Sequence, residues 1–164
     1  MPLVDWEIEA ALLHGDIRIS NLQPDAIQPN SIDLHAGEDA IVPRGRMVLT
    51  HTLERVYLGP GYCAQILLCS TAARLGLDMA KAQHFDEGFE GDPTIELMYW
   101  GDPGAQTDYR EVPFGIPQGW KFCQLIITRT AVAALPYGHP SRRSRYQGQS
   151  GTTVARPDPR DQGS

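Results

Sequence analysis

The residues CSTAARLGLDMAKAQHFDEGFEGDPTIEL, from Cys69 to Leu97, hold the clearest structural signals of this chain and most of its candidate chemistry. Near the start of the stretch, two alanines, an arginine and a leucine favour a short helical turn, which Gly76 then ends. Ser70 and Arg74 are four residues apart, so they point in the same direction on such a turn. The stretch therefore predicts a hydroxyl and a guanidinium side by side on one short helix.

The second half of the stretch predicts a tight reversal followed by a strand. Two glycines in FDEGFEGD, residues 85–92, allow the reversal, and TIELMYW, residues 94–100, has the aliphatic and aromatic residues of a strand. Side chains alternate along a strand, so Glu96 shares a face with Thr94. Burial of a carboxyl raises its pKa, and a carboxyl of this kind transfers protons near neutral pH. Two other interpretations stay open: Glu96 lies on a solvent face, or it forms a buried ion pair with Arg74.

Composition and turn signals favour a mainly β domain. The chain has 164 residues with 16 glycines and 13 prolines, which predicts frequent turns between short strands in one globular domain. One helix is predicted at the start, capped by Asp5 and ended by Gly15. The strand candidates are short, aliphatic or aromatic, and bounded by glycine or proline: 47–50, 62–69, 94–100 and 122–130. The expected architecture is a barrel or a folded double sheet with short helices.

Charge, hydropathy and cysteine content exclude several classes of protein. The net charge of −6 argues against duplex nucleic acid as a partner. No apolar run approaches the roughly 20 residues that a membrane helix needs, and the first residues lack the pattern of a signal peptide. The three cysteines are an odd number, which favours reduced thiols and therefore a cytosolic protein.

Basic residues are concentrated near the C-terminus, where Arg142, Arg143 and Arg145 lie in SRRSRYQGQSG. A local cationic segment on an acidic protein suits a compact anion such as a polyphosphate, although a solvated basic loop has the same composition. No motif indicates another common chemistry. The H-x-E and P-C-x-x-C pair of zinc deaminases, the G-x-S-x-G elbow and the P-loop are all missing from the sequence.

Five segments, in order, resemble the dCTP deaminase family, which belongs to the dUTPase-like superfamily. They are IQPNSIDLHAG at 27–37, STAARLGL at 70–77, FDEGFEGDPTIEL at 85–97, QLIITRT at 124–130, and PYG with SRYQGQSG within 136–151. The resemblance implies a distorted dUTPase-like β-barrel that assembles as a homotrimer, with active sites between neighbouring subunits. It also implies one domain over residues 1–156, followed by a flexible C-terminal tail at 157–164.

The resemblance implies hydrolytic deamination of dCTP to dUTP and ammonia, without zinc and with magnesium bound only through the triphosphate. Glu96 would act as general acid and base, Ser70 would position the attacking water, and Arg74 would hold Glu96 in place. Water adds to C4 of the cytosine ring when N3 is protonated during the attack, and one carboxyl can make both proton transfers. Such an enzyme would work in the cytoplasm, that of a host cell if a phage encodes it.

The same resemblance implies a set of substrate-binding residues. Asp86 would accept a hydrogen bond from the sugar hydroxyl, and Phe89 would lie under the sugar and base. Thr94 and Ile95 would line the base pocket. Contacts to the phosphates and the rest of the nucleotide would come from Cys69, Thr71, Ala72, Ala73, Gln124, Tyr137, Arg145 and Gln149. The segment from Arg145 onward would fold over the nucleotide as a lid.

Departures from the family pattern leave the substrate open. Cys69 stands where the family usually has a phosphate-binding arginine, and Glu87 stands where a proline usually follows the aspartate. These changes fit a modified or less phosphorylated cytosine nucleotide as well as dCTP itself. The alternatives are a dUTP pyrophosphatase, a bifunctional deaminase and pyrophosphatase, a catalytically weak nucleotide-binding regulatory protein, and a structural β-barrel trimer without ligand.

Overall fold

Short strands account for most of the structure, a computed structural model that describes residues 1–79, 83–101 and 113–157. Two helices lie among these residues, α1 (Asp5–His14) and α2 (Ser70–Arg74). The strands are β1 (Ile17–Ser20), β2 (Ile27–Gln28), β3 (Ser31–His35), β4 (Ala40–Val42), β5 (Val48–His51), β6 (Arg55–Leu58), β7 (Tyr62–Leu68), β8 (Leu77–Met79), β9 (His84–Phe85), β10 (Glu90–Gly91), β11 (Thr94–Tyr99), β12 (Phe114–Ile116) and β13 (Lys121–Arg129).

The strands pair in four antiparallel sheets. The largest has the order β2-β3-β13-β7-β9, and the others are β1-β6-β10, β5-β11-β8 and β12-β4. The prediction of a mainly β fold is confirmed. Within the described ranges, however, the ladders remain separate and do not close into one continuous barrel. Several strands have only two residues, so each forms few ladder hydrogen bonds with its neighbours.

The core lies between the sheets and is built by strand alternation. In the central strand β13, Leu125 and Ile127 are buried while Ile126 between them is half-buried. Leu125 lies opposite Ile32 of β3 and Ile66 of β7, and both of these side chains are buried as well. Burial of a large aliphatic side chain stabilises a fold by about 1.5–3 kcal/mol, so this layer is a rigid base for the strands that carry functional groups.

Helix α1 shows how local sequence sets an element boundary. The prediction that Asp5 caps the helix is wrong by one residue: Val4 is the N-cap, and its backbone N–H donates to Glu7 Oε2 at 3.1 Å. The predicted end is confirmed, because Gly15 takes the left-handed conformation with φ of 77°.

Among the described residues, no helix is both long and apolar enough to cross a bilayer.

Candidate active site

A cavity of about 430 Å³ brings together six of the predicted site residues. They come from the reversal, from strand β11 and from the chain after β13, and they are Asp86, Phe89, Thr94, Glu96, Tyr137 and Gln149. We call this the Glu96 cavity. Residues more than 60 positions apart in sequence meet here only because the sheets fold around a shared core. The cavity is therefore a product of the tertiary fold and not of one local motif.

Strand β11 presents Glu96 to the cavity. Along this strand Ile95 and Leu97 are buried in the core while Thr94 and Glu96 are half-buried, which confirms the predicted alternation. Glu96 Oε2 accepts a hydrogen bond from Gln83 Nε2 at 2.7 Å. On the neighbouring strand β5, the residue directly opposite Glu96 is Leu49, which also lines the cavity. Among the described residues, the carboxylate therefore has Gln83 as its polar partner and Leu49 as an apolar neighbour.

The reversal before β11 fixes the residues that would hold a sugar and a base. The N–H of Phe89 donates to the carbonyl of Asp86 at 3.1 Å, which closes the turn. Gly88 has φ of 88°, and a Cβ there would collide with the carbonyl oxygen of Tyr137, so this position requires glycine. The rings of Phe89 and Tyr137 lie 6.2 Å apart, centroid to centroid. The turn thus seats an aromatic floor next to the Asp86 carboxylate.

The chain from Pro136 to Pro157, which we call the C-terminal segment, forms another wall of the Glu96 cavity. Gln149 is only 5% exposed, and its Nε2 donates to the carbonyl of Asp92 at 2.7 Å. Asp92 Oδ2 accepts from the N–H of Gly151 at 2.8 Å, and Asp92 Oδ1 accepts from Arg55 Nη1 at 3.2 Å. Arg55 Nη1 also donates to the carbonyl of Gln149 at 2.9 Å. Asp92 and Arg55 together fasten the segment to the sheets.

Farther along, the same segment is held by a second set of contacts. The N–H of Thr153 donates to Thr94 Oγ1 at 3.1 Å, which links the segment directly to strand β11. Thr152 Oγ1 hydrogen-bonds to a Glu38 carboxylate oxygen and to His51 Nδ1. The C-terminal segment is therefore docked along its length over the Glu96 cavity.

A second cavity of about 660 Å³ adjoins the first and shares His84, Asp86 and Tyr137 with it. Arg142 and Arg143 line this space, which we call the Arg142 cavity. It is the place where the predicted cationic loop meets the body of the protein. The two cavities therefore put an acidic group and an arginine pair on the two sides of one shared wall.

Two further residues of the Arg142 cavity have distinct environments. Burial, and to a lesser extent the nearby Asp86 carboxylate, raises the pKa of the Cys63 thiol, while the N-terminal ammonium lowers it. Glu87 is buried, and its Oε2 accepts from the N–H groups of Gly61 and Ala133, both at 3.0 Å. Glu87 therefore anchors the chain just before the C-terminal segment begins.

The family of the chain follows from comparison with known proteins. A family model described as dCTP deaminase-like matches residues 35–130, more than half of the chain. The chain belongs to the dCTP deaminase-like family. Within it, a relative from Methanoculleus marisnigri is named "dCTP deaminase, dUMP-forming". It is 29% identical over an alignment of 187 positions that covers 95% of each protein.

The fold of this chain is similar to the folds of two solved structures. The 2′-deoxycytidine 5′-triphosphate deaminase of Agrobacterium tumefaciens matches with a TM-score of 0.60 at 17% identity, over 77% of this chain and 48% of that one. A dUTPase from phage phi11 of S. aureus, described with a structural Mg(II) ion, matches with a TM-score of 0.54 at 16% identity, over 73% of this chain and 94% of that one. The dUTPase-like fold is thereby confirmed.

Helix α2 stands apart from both cavities, although the family resemblance places catalytic residues on it. Ser70, Thr71, Ala73 and Arg74 are exposed on its surface, while Cys69 and Ala72 are buried at its base. Among the described residues of one chain, no ion pair joins Arg74 to Glu96. One chain alone thus separates the predicted acid and base from its predicted helpers.

Three other predicted contacts have different surroundings. Ile95 is fully buried on the core side of β11, because it alternates with Glu96, and its side chain lies outside the cavity. Gln124 Nε2 donates to Asp33 Oδ1 at 3.0 Å on the large sheet. The carbonyl of Arg145 accepts from Arg156 Nη1 at 2.7 Å within the C-terminal segment. Ile95, Gln124 and Arg145 are therefore absent from the described residues that line the two cavities.

Several residues of the Glu96 cavity were not identified from the sequence. Met47, Leu49, Phe85 and Tyr146 line it, and Gln83 contacts Glu96 from outside it. The antiparallel pairing of β5 with β11 is the signal that identifies Leu49, and it requires the strand register.

Among the described residues, no group of three or more histidine, cysteine, aspartate or glutamate side chains is arranged to hold a metal ion.

Proposed function

We propose that the protein catalyses the hydrolytic deamination of dCTP, in which water replaces the 4-amino group and dUTP and ammonia are released. The observation that carries this proposal is the half-buried carboxylate of Glu96, presented to a cavity beside Asp86 and Phe89 in a member of the dCTP deaminase-like family. A half-buried carboxylate that lines a cavity is placed to exchange protons with a ligand bound there, which is the role that general acid–base catalysis requires.

Glu96 would make each proton transfer of the reaction. As carboxylate it takes a proton from the attacking water while oxygen bonds to C4, and it delivers that proton to N3. In the second half it moves the remaining hydroxyl proton to the amino group, which leaves as ammonia. General acid–base catalysis of this kind contributes typically 10²–10⁴-fold, and orientation of the water inside a closed site supplies much of the rest.

Recognition of the nucleoside would use the floor and the acid of the reversal. Asp86 would accept a hydrogen bond from the 3′-hydroxyl of the sugar, and Phe89 would pack against the sugar and the base. The apolar side chain of Leu49, directly opposite Glu96, would face the ring edge next to C4. These contacts would hold C4 and N3 within reach of one carboxylate.

The polyphosphate would extend into the Arg142 cavity. Arg142 and Arg143 line that cavity, and Tyr137 belongs to the shared wall, so a triphosphate can reach them from a base bound at Glu96. Magnesium would arrive as part of the nucleotide substrate. We further propose that Arg145 and Gln149 contribute to this end of the site when the C-terminal segment closes on the nucleotide.

We also propose that the working unit is a homotrimer. The exposure of Ser70, Thr71 and Arg74 on α2, away from Glu96 of the same chain, supports a site in which a neighbouring subunit supplies this helix. Mixing an inactive Glu96→Gln protein with an inactive Arg74→Ala protein under exchange conditions tests this arrangement. Random trimers would regain about a quarter of wild-type activity, because one site in four receives both intact residues. No recovery after verified exchange would contradict a shared site.

The domain and its surroundings complete the proposal. Residues 1–156 would act as one domain in the cytoplasm, without nucleic acid or membrane as partners. The predicted flexible tail at 157–164 lies, apart from Pro157, outside the described residues.

The proposal is tested by incubating the purified protein with dCTP, dCMP or dUTP and magnesium, and by measuring ammonia and pyrophosphate separately. We expect ammonia from dCTP, and loss of turnover in Glu96→Gln with nucleotide binding retained. Glu9→Gln, which makes the same change at an exposed position of α1, should leave activity unchanged. Full activity of Glu96→Gln, or no ammonia from any cytosine nucleotide, would contradict the proposal.

A second candidate is the bifunctional reaction, in which a second water cleaves dUTP to dUMP and pyrophosphate. It is favoured by the relative from Methanoculleus marisnigri, whose name includes "dUMP-forming". The same assay separates the two candidates: ammonia with an equal amount of pyrophosphate from dCTP indicates the bifunctional reaction, and ammonia alone indicates a deaminase. Pyrophosphate from dUTP without ammonia from dCTP would indicate a dUTP pyrophosphatase.

A further inference from the structure

Gln83 makes a hydrogen bond that is well placed to influence the chemistry of Glu96. Its Nε2 lies 2.7 Å from Glu96 Oε2, at the short end of the range for N–H···O bonds. The backbone of Gln83 is itself fixed, because its carbonyl accepts from the N–H of Ile66 at 3.0 Å, at the edge of the large sheet. The amide is therefore aimed at the carboxylate by a residue whose backbone is hydrogen-bonded to strand β7.

This bond joins two separate sheets. Gln83 immediately precedes β9, which pairs with β7 in the large sheet, whereas Glu96 lies in the centre of β5-β11-β8. Gln83 does not line the Glu96 cavity as its described residues define it, so its effect reaches a ligand only through Glu96. Among the described residues, Gln83 is the hydrogen-bond donor to the Glu96 carboxylate. Leu49, the residue opposite Glu96 on β5, has no side-chain donor.

We propose that Gln83 is a positioning residue for Glu96, an inference that rests on the deaminase function proposed above. The amide holds Oε2 and leaves Oε1 available for proton transfer. A donor hydrogen bond also stabilises the ionised form of a carboxyl, which is the form that accepts the proton of the attacking water. A primary amide does not titrate, so it holds the carboxylate without adding a competing proton to the site.

The Gln83→Leu variant tests the bond directly. Leucine has similar bulk and no donor, so we expect kcat for dCTP to fall about tenfold to a hundredfold, the range expected for loss of one charge-assisted hydrogen bond. KM should stay within about twofold, because Gln83 lies outside the cavity. Gln65→Leu is the matched control: Gln65 lies on the adjacent strand β7, its side chain is exposed, and the variant should leave kcat unchanged.

The Gln83→Glu variant distinguishes positioning from a merely structural role. At neutral pH the introduced carboxylate repels Glu96, so kcat should fall at least as far as in Gln83→Leu. As the pH decreases, the two carboxyls share one proton, the donor is restored, and activity relative to wild type should recover. Among the described residues that line the cavity, the other titratable groups are His84, Asp86, Tyr137 and Tyr146, and they are identical in every variant. Their effect therefore cancels when variants are compared at each pH.

The outcomes separate this inference from the proposed function. Ammonia release by wild type with undiminished kcat in Gln83→Leu overturns the role of Gln83 and leaves the deaminase function standing. A parallel loss at every pH in Gln83→Glu and Gln83→Leu, or a rise in KM without a change in kcat, also overturns it. If Gln83→Leu fails to fold, the isosteric Gln83→Glu variant decides alone through its recovery at low pH. Absence of deamination by wild type overturns both proposals.

Discussion

Replacing Asp92 by asparagine should loosen the C-terminal segment without changing its shape. The Asp92 carboxylate accepts from Gly151 N–H at 2.8 Å and from Arg55 Nη1 at 3.2 Å. Asparagine has the same size and keeps one oxygen for Gly151. It loses the charge, however, and turns an amide group towards Arg55. The variant therefore weakens the bond from Gly151 and removes the bond from Arg55.

The size of the effect follows from these two bonds. The bond from Gly151 changes from one with a charged acceptor, worth about 1.5–3 kcal/mol, to a neutral one of about 0.5–1.5 kcal/mol, a loss of about 1 kcal/mol. Arg55 loses its bond to Asp92 and also holds the Gln149 carbonyl of the segment, so a second loss reaches the segment through Arg55. The side chains of Arg55 and Asp92 are 33% and 18% exposed, and solvent screening reduces the contribution of this pair. We expect the docked segment to lose about 1–2 kcal/mol, which increases the undocked fraction about 5–30-fold.

Limited proteolysis measures that fraction. Arg145 is half-buried in the docked segment, so tryptic cleavage after it requires the segment to leave the body, and under native conditions the rate of that cleavage follows the undocked population. We expect the initial rate to rise by the same 5–30-fold in Asp92→Asn, together with a higher KM for dCTP.

The control is Asp25→Asn, which removes a charge at an exposed turn whose φ of 61° suits asparagine. It should cleave at the wild-type rate. A cleavage rate of Asp92→Asn within about twofold of wild type would refute the assigned role of Asp92.

Three other perturbations have defined outcomes. Replacing Arg142 and Arg143 together by alanine should raise KM for dCTP more than KM for dCMP. The control Arg46→Ala, at an exposed turn, should change neither KM. Equal effects of the double variant on both nucleotides would place the phosphates elsewhere. Burial, with smaller contributions from nearby acidic groups and Cys69, raises the pKa of Cys123 well above its usual value. The thiol therefore ionises first in the unfolded chain. The free energy of unfolding should fall by about 1.4 kcal/mol per pH unit above about pH 8.5. Urea titrations should show that slope in wild type and not in Cys123→Ala, and an equal slope in both would contradict the assignment. A zinc-selective chelator should leave deamination unchanged, and loss of activity that zinc alone restores would overturn catalysis by Glu96 without zinc.

Local sequence predicted the parts of this structure that local forces determine. Gly15 ends α1 because only glycine adopts its left-handed conformation at low cost, and α2 spans Ser70–Arg74 as expected. The strands around 62–68 and 94–99 were predicted to within one residue, since their apolar content and flanking turns are unambiguous. The cavity-facing side of β11 followed from simple alternation once the strand was located.

The remaining features depend on contacts between distant segments. Strands β9 and β10 have two residues each and form by pairing with β7 and β6. Two residues are too few to show the alternation of apolar and polar side chains from which a strand is predicted. The cap of α1 was misassigned because Glu7, three residues ahead, reaches back to the backbone of Val4. The bond between Gln83 and Glu96 requires the relative placement of two sheets, which hydrophobic patterning does not encode.

The wall shared by the two cavities has a consequence for anyone who redesigns this protein. Asp86 and Tyr137 line both cavities, so in the proposed binding mode one substitution there would change the contacts to the sugar and the contacts to the phosphates together. Selecting variants for a shorter or longer phosphate chain will therefore shift tolerance for the nucleoside as well. Changes confined to Leu49 on one side or Arg142 on the other should escape this coupling, and they are the natural starting points for retargeting.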